Sequence, residues 1–181
     1  SFSLPTFRKW GKVMTDRKNA KGWHVVFADR RGLYGALKSI YEGIELIDTG
    51  GGGLRGLYAD FLDEAAAIVN RPALREVAAE YRSLAARWSA LANSALPDNV
   101  EPLRETRQLM RQKHDLLMAK GAAAETQPLT EKLEALFGQY NRAFPMSDAE
   151  IDQLFSTLGE QLLALYEAET AALASLKNAA Q

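Results

Sequence analysis

The fold of this chain is organised around residues 49–64, which read TGGGGLRGLYADFLDE. Four consecutive glycines lose much backbone entropy on folding, so they are expected where the chain adopts positive φ or where its backbone approaches another group closely. The residues that follow predict a helix from Leu54 to about Val69, because apolar side chains recur there at the spacing of one buried helical face. The residues of that predicted face are Leu54, Leu57, Tyr58, Phe61, Leu62, Ala65 and Ile68. The stretch therefore predicts a tight turn that leads into a helix.

The amides of this turn form a candidate anion site. Unpaired N–H groups at a helix N-terminus, together with the helix dipole, favour phosphate and carboxylate groups. The candidate ligand-binding residues are Gly51, Gly52, Gly53, Arg55 and Tyr58. The simpler interpretation is a connection between two helices with no ligand, and the sequence leaves both open. The glycines also match the spacing of the dinucleotide-binding motif, but that motif requires a preceding strand, and a helix is predicted there.

The composition is that of a folded protein without cysteine. The chain has 181 residues, of which 47% are hydrophobic and 25% charged, and its net charge is −1. No apolar run approaches the ~20 residues that a membrane span requires, so we expect a cytoplasmic protein with neither a membrane nor a nucleic-acid partner. Disulfides, thiolate metal ligands and a cysteine nucleophile are excluded within these residues. The length and the lack of a dividing linker predict a single helical domain, residues 1–181. Because the sequence starts at Ser1 without an initiator Met, we expect this domain to be part of a longer protein.

Positive charge is concentrated near the N-terminus and negative charge near the C-terminus. The first 31 residues contain eight Lys or Arg and two Asp. Such a run ordinarily keeps a helix solvated, and this is the simpler interpretation. The alternative is a patch that docks an acidic partner. The candidate docking residues are Arg8, Lys9, Lys12, Arg17 and Lys18.

Apolar periodicity predicts an all-α fold of six or seven helices, in which orthogonal N-terminal helices join a bundle of long C-terminal helices. The most regular pattern lies between Pro72 and Pro97, where apolar residues alternate steps of three and four and so predict a helix with a partner along its length. Its seam consists of Leu74, Val77, Tyr81, Leu84, Trp88, Leu91 and Ala95. Ser147 and Glu150 form a capping box that predicts the start of a long final helix.

The boundaries of the other segments are less regular. The first helix is predicted from an N-cap at Ser3 to about Thr15, and residues 23–27 are too few to assign. The second helix starts after Asp29 and carries its apolar face as far as Ile47. Asp98 is predicted to cap the fifth helix, and a break is expected over residues 121–128 before a sixth.

No catalytic or metal site is predicted. Asp60, Asp63 and Glu64 lie about one turn apart, but no second acidic or histidine motif completes a metal-binding set, so we expect them to be solvated or to form salt bridges. The two histidines, His24 and His114, share no motif. We therefore expect no cofactor, no metal and no catalytic residue in this chain.

Several short segments together resemble a known family. They are LPTFRKW at 4–10, KGW at 21–23, GLY at 32–34, SIYE at 39–42, GGGLR at 51–55 and YADFL at 58–62, followed by ALPD at 95–98 and FPMS at 144–147. In this order they resemble the helical C-terminal domain, itself of unknown function, that follows the N-terminal domain of bacterial butirosin biosynthesis protein H-like proteins. The glycine run with YADF is the most specific part of the resemblance.

The resemblance implies a function that spacing and composition do not. The family's N-terminal domain is similar to papain-like cysteine folds, and its namesake transfers an acyl group from an acyl carrier protein to an aminoglycoside amine. Since this chain has no cysteine, the resemblance implies a non-catalytic accessory domain of an acyltransferase or peptidase-like protein. Its implied partners are the N-terminal cysteine-containing domain of the same protein, and an acyl carrier protein or small-molecule substrate. The alternative is a free-standing helical binding module, or a homodimer formed through the Leu74–Ala95 seam, with no link to acyl transfer.

Overall fold

The computed structural model describes residues 4–47 and 50–181, and within them the protein is all-α, as the sequence predicts. The helices are α1 (Leu4–Thr15), α2 (Trp23–Val26), α3 (Leu33–Glu45), α4 (Arg55–Ile68), α5 (Ala73–Ala95), α6 (Glu101–Lys120), α7 (Gln127–Tyr140) and α8 (Asp148–Ala179). Residues 23–27, which the sequence left unassigned, contain the single turn of α2. The predicted N-cap Ser3, and Thr49 at the start of the glycine stretch, lie outside the described residues. None of the helices in this part of the chain combines the length and apolarity that a membrane crossing requires.

Helix α5 is the central helix of the core. Every residue of its predicted seam, from Leu74 to Ala95, is buried. The surrounding helices are α3, α4 and α8 of the same chain. Burial of each large apolar side chain in this seam contributes about 1.5–3 kcal/mol. The predicted partner of the seam is therefore internal, and the pattern that suggested a homodimer belongs to the core.

Helix α8 brings the two ends of the chain together. It starts at the predicted capping box, in which the Glu150 side chain accepts a hydrogen bond from the Ser147 N–H and the Ser147 hydroxyl accepts one from the Glu150 N–H. Helix α1 packs along α8, and α8 packs on α5. The approach is closest where Gly11 faces Gly159, since a Cβ added at Gly11 would lie 3.0 Å from the Gly159 carbonyl oxygen. Helix α1 therefore belongs to the same bundle as the long C-terminal helices.

The predicted buried face of α4 is wrong in part. Leu57 is 66% exposed, Phe61 57% and Ile68 82%, and Leu54, just before the helix, is 44% exposed. Leu62 of the predicted face is buried, as expected, and Ala59 and Ala66, which were not assigned to that face, are buried beside it. The small side chains of Ala59 and Ala66 let the α4 backbone lie close to α5, while Leu57, Phe61 and Ile68 point away from the core.

Other boundaries are confirmed or corrected. Asn70 ends α4 with a φ of 53°, and the break after α6 is a 3-10 turn at Gly121–Ala123. Ile47 lies beyond the end of α3 and is exposed. Asp98 does not cap α6, whose N-cap is Val100; it forms an ion pair with Arg107 instead.

Candidate functional site

The glycine run forms the left-handed turn that the sequence predicts. The φ angles of Gly50 to Gly53 are 60°, 85°, 58° and 58°, and that of Leu54 is 70°. Side chains disfavour this region by about 1–2 kcal/mol per residue, whereas glycine does not. Gly52 also packs against α5, where an added Cβ would lie 2.8 Å from the Ala85 Cβ. Both expected reasons for glycine, positive φ and close backbone approach, therefore apply within this turn.

An internal carboxylate binds the amide of the turn. Glu45, at the end of α3, is buried and accepts a hydrogen bond from the Gly52 N–H at 3.2 Å. It also accepts one from the Ser89 hydroxyl at 2.6 Å and one from Arg111 at 3.0 Å. Three donors thus satisfy a buried charge, as its desolvation requires. A carboxylate of the protein itself thus occupies the Gly52 amide, within the turn where the sequence suggested an external anion.

Arg55 is held by a second buried carboxylate. Its Nε donates to Glu169 Oε1 at 2.8 Å, and its Nη1 donates to the Gly53 carbonyl at 2.5 Å. The guanidinium lies over the Trp88 ring at 5.0 Å, and the Trp88 indole N–H donates to the same Glu169 oxygen at 2.8 Å. The charge of Arg55 is therefore balanced inside the protein, and α4, α5 and α8 are joined at one point.

The sequence analysis did not predict Glu45 or Glu169. Each, however, occupies an apolar helical position. Glu45 follows the buried Tyr41 by one turn in α3, and Glu169 lies between Leu165 and Ala172 in the buried stripe of α8. A lone carboxylate in an apolar stripe indicates a buried partner. This pattern in the sequence is the signal by which Glu45 and Glu169 could have been found.

The fifth candidate ligand residue, Tyr58, lies in an aromatic cluster. Its ring packs edge-on against Tyr81 at 4.7 Å and tilted against Phe61 at 5.8 Å. Burial, with a smaller effect from the neighbouring Tyr58, raises the pKa of Tyr81 above its usual value. Tyr58 is not among the residues that line the cavity described next, so the structure does not gather all five candidates around one space.

A groove of about 540 Å³ lies between α1 and α3 and reaches the glycine turn. Its volume is in the range of small-molecule sites. The groove is lined by Leu4, Phe7, Trp10, Ala36, Ser39, Ile40, Gly43, Ile44, Gly53, Arg55 and Trp88. Gly53 and Arg55 are thus the two predicted ligand residues that reach this space.

The exposed side chains of α4 form a second feature beside the turn. We call Leu54, Leu57, Phe61 and Ile68 the α4 apolar face. Within the helix Leu57, Phe61 and Ile68 lie on one side, because they are separated by four and seven residues, and Leu54 immediately precedes the helix. Leu54 directly follows Gly53, so the face adjoins the groove. Solvent-exposed apolar surface of this kind is characteristic of interaction sites.

The candidate docking residues are only partly available. Arg17 pairs with Asp152 at 2.7 Å, and Arg8 lies over the Tyr166 ring at 5.8 Å. Within residues 4–47 and 50–181, Lys9, Lys12 and Lys18 form no ion pair. The acidic C-terminal helix therefore faces part of the basic N-terminal segment, an arrangement that the separate charge runs did not predict.

Of the acidic residues of α4, Asp60 and Asp63 form salt bridges and Glu64 is exposed to solvent, which are the two roles that the sequence predicts. Arg82 binds Asp60 at 2.8 Å and Asp63 at 2.6 Å, and all three side chains are solvent-accessible. Elsewhere, His24 lies 3.4 Å from Asp152, while His114 is on α6. The part of the chain that the structure describes contains no group of three His, Asp or Glu residues placed to hold a metal.

A family of domains matches the chain, whereas no curated protein and no solved structure does. Residues 17–132 match the family described as a domain of unknown function, DUF4872. This span runs from the loop before α2 into α7 and so contains the glycine turn, both groove-lining residues of the turn and the α4 apolar face. It covers more than half of the sequence, and the chain therefore belongs to the DUF4872 family of domains of unknown function.

Proposed function

We propose that this chain is a non-catalytic accessory domain that docks, through the α4 apolar face, onto a cysteine-containing N-terminal domain of the butirosin biosynthesis protein H-like type. The observation that carries the proposal is the exposure of Leu57, Phe61 and Ile68 along one side of a helix. A partner that covered these side chains would remove apolar surface from water at a gain of about 25 cal/mol per Å².

The position of the face supports this choice of partner. The α4 apolar face begins at Leu54, directly after the glycine run, and the glycine run with residues 58–61 is the most specific part of the resemblance. A catalytic domain docked there would lie beside the groove between α1 and α3. Ligand sites commonly form where two domains meet, so the groove would contribute to the substrate site of the complete protein.

An acyl carrier protein is the second partner in this proposal. Carrier proteins are generally acidic, and Lys9, Lys12 and Lys18 have no carboxylate partner within the described residues. Electrostatic steering by these side chains would raise the association rate at low salt. Binding of a carrier protein should then weaken as salt is added, and Lys9→Glu with Lys12→Glu should weaken it further.

The docking step can be tested with two purified proteins. The chain is mixed with the separately produced N-terminal domain of a butirosin biosynthesis protein H-like protein, and the mass of the product is measured by light scattering after gel filtration. We expect a one-to-one complex that Leu57→Glu or Phe61→Glu abolishes. Met118→Glu is the matched control, because Met118 is 75% exposed on α6, away from the face.

Two results would overturn the proposal. One is the absence of a complex, and the other is a complex that is indifferent to Leu57→Glu and Phe61→Glu. A homodimer of the chain that Phe61→Glu dissociates, in the absence of any complex, would instead favour the free-standing dimerisation module.

A further inference from the structure

The groove between α1 and α3 has two unlike walls. On α3, Ala36, Ser39 and Gly43 line it together with the aliphatic side chains of Ile40 and Ile44, and a Cβ added at Gly43 would meet no atom within 4 Å. On the opposite side lie the rings of Phe7 and Trp10, with Trp88 behind them. Phe7 and Trp88 pack edge-on at 5.1 Å, which fixes both rings. The groove is thus a slot between aromatic rings and an α3 wall of small and aliphatic residues.

The charge of the groove decides what it can accept. Arg55 is the one charged residue among the described residues that line it. Glu169, the Gly53 carbonyl and the Trp88 ring already engage its guanidinium. Glu169 therefore already balances the charge of Arg55, and the groove has no net positive charge to offset the lost hydration of an anionic ligand.

From these walls and this internal charge balance, we propose that the groove binds an uncharged aliphatic chain, such as the hydrocarbon part of an acyl group or an alcohol. At about 30 Å³ for a group of water or methylene size, 540 Å³ accommodates on the order of ten to twenty such groups. The ligand differs in chemistry from the phosphate or carboxylate that the glycine run alone suggested. The inference goes beyond the docking proposal, because it concerns this chain by itself.

Tryptophan fluorescence reports on the groove directly. Trp10 and Trp88 line it, whereas Trp23 packs against Phe27 and Phe155 elsewhere. A Trp23→Phe background removes the unrelated signal. The probes are 1-octanol and octanoate, which have the same chain length and differ in charge. We expect a saturable change with 1-octanol and at least a tenfold higher Kd for octanoate.

Groove-filling variants locate the binding. Gly43→Leu places a side chain in the slot and should raise the Kd for 1-octanol at least tenfold. Gly56→Leu is the matched control, since Gly56 is also helical with open space around it but does not line the groove. Ala36→Leu fills the same wall from two turns earlier and replaces Gly43→Leu if that variant fails to fold, as judged by circular dichroism.

The inference is overturned if 1-octanol gives no saturable change, if the filling variants bind it as the wild type does, or if octanoate binds as tightly as 1-octanol. Its failure is distinguishable from that of the docking proposal. Leu57→Glu and Phe61→Glu lie outside the groove and should leave 1-octanol binding unchanged.

Discussion

At Gly52 a backbone requirement and a packing requirement coincide. Its φ of 58° lies in the left-handed region, and an added Cβ would come within 2.9 Å of the Cβ, Cα and carbonyl oxygen of Ala85. Gly50 has nearly the same φ of 60°, but nothing lies within 4 Å of the corresponding position. The two glycines therefore separate the effect of conformation from the effect of contact.

We expect Gly50→Ala to lower the free energy of unfolding by about 1 kcal/mol, the cost of a left-handed alanine. Gly52→Ala should lower it by about 2–4 kcal/mol, because overpacking against α5 is added to the same strain. Urea unfolding of both variants measures the difference. Equal losses would mean that the α5 contact relaxes freely and that conformation alone selects these glycines.

The residues of the site were predictable to different degrees. Positive φ in the glycine run follows from composition, since few other residues tolerate it. The group that binds the Gly52 amide could not be predicted from the sequence. Glu45 lies on another helix, α3, and its side chain comes close to the turn only in the folded protein. The pairing of Arg55 with Glu169 spans 114 positions, and local spacing contains no information about such a contact.

Among the elements, α5 and α4 show what periodicity can predict. The seam of α5 is buried throughout because apolar residues, most of them large, occupy its inward positions. Helix α4 has apolar residues on two sides. Leu57, Phe61 and Ile68 lie on one side, and Ala59, Leu62 and Ala66 lie on the other. Close contact between helices favours the small residues, so the larger stripe stays exposed. Periodicity predicts that α4 has an apolar side, but it does not decide which side the core takes.

The contact between α1 and α8 leads to a prediction about helix packing. A Cβ at Gly159 would lie 2.8 Å from the Thr15 Cγ2 and 3.1 Å from the Gly11 carbonyl oxygen. Gly159→Leu should therefore force the helices apart and lower the free energy of unfolding by about 2–3 kcal/mol. Gly138→Leu is the control, because that helical glycine on α7 has open space around it. We expect no loss there, since leucine has the higher helix propensity.

Chemical denaturation of both variants gives the comparison. If the two substitutions have the same effect, the close approach of α1 and α8 at Gly11 and Gly159 does not contribute to stability.

In the molecule as a whole, the basic N-terminal segment and the acidic C-terminal helix meet. Arg17 pairs with Asp152, and Arg30 pairs with Asp148. These pairs are largely solvent-exposed, so each contributes little to stability. The charges of Arg17 and Asp152 have a greater effect on the pKa of His24, which lies beside them. The His24 side chain is 13% exposed and packs edge-on against Phe155.

The charge state of His24 gives the stability of the molecule a pH dependence. Burial is the largest cause that lowers its pKa below the usual 6.5, and the charge of Arg17 lowers it further, while Asp152 acts in the opposite direction. The unfolded chain therefore binds the proton more readily than the folded one. By linkage, the stability is complete above pH 6.5 and falls as the pH drops from 6.5 through the lowered folded-state pKa.

We expect the free energy of unfolding, measured with urea at pH 7.5 and pH 5.5, to be lower at the acidic pH. His24→Gln should reduce this difference, because glutamine takes up no proton in either state. Arg17→Ala should reduce it as well, since it removes one of the two causes that lower the pKa. An unchanged difference in His24→Gln would assign the pH dependence in this window to groups other than the junction of α2 and α8.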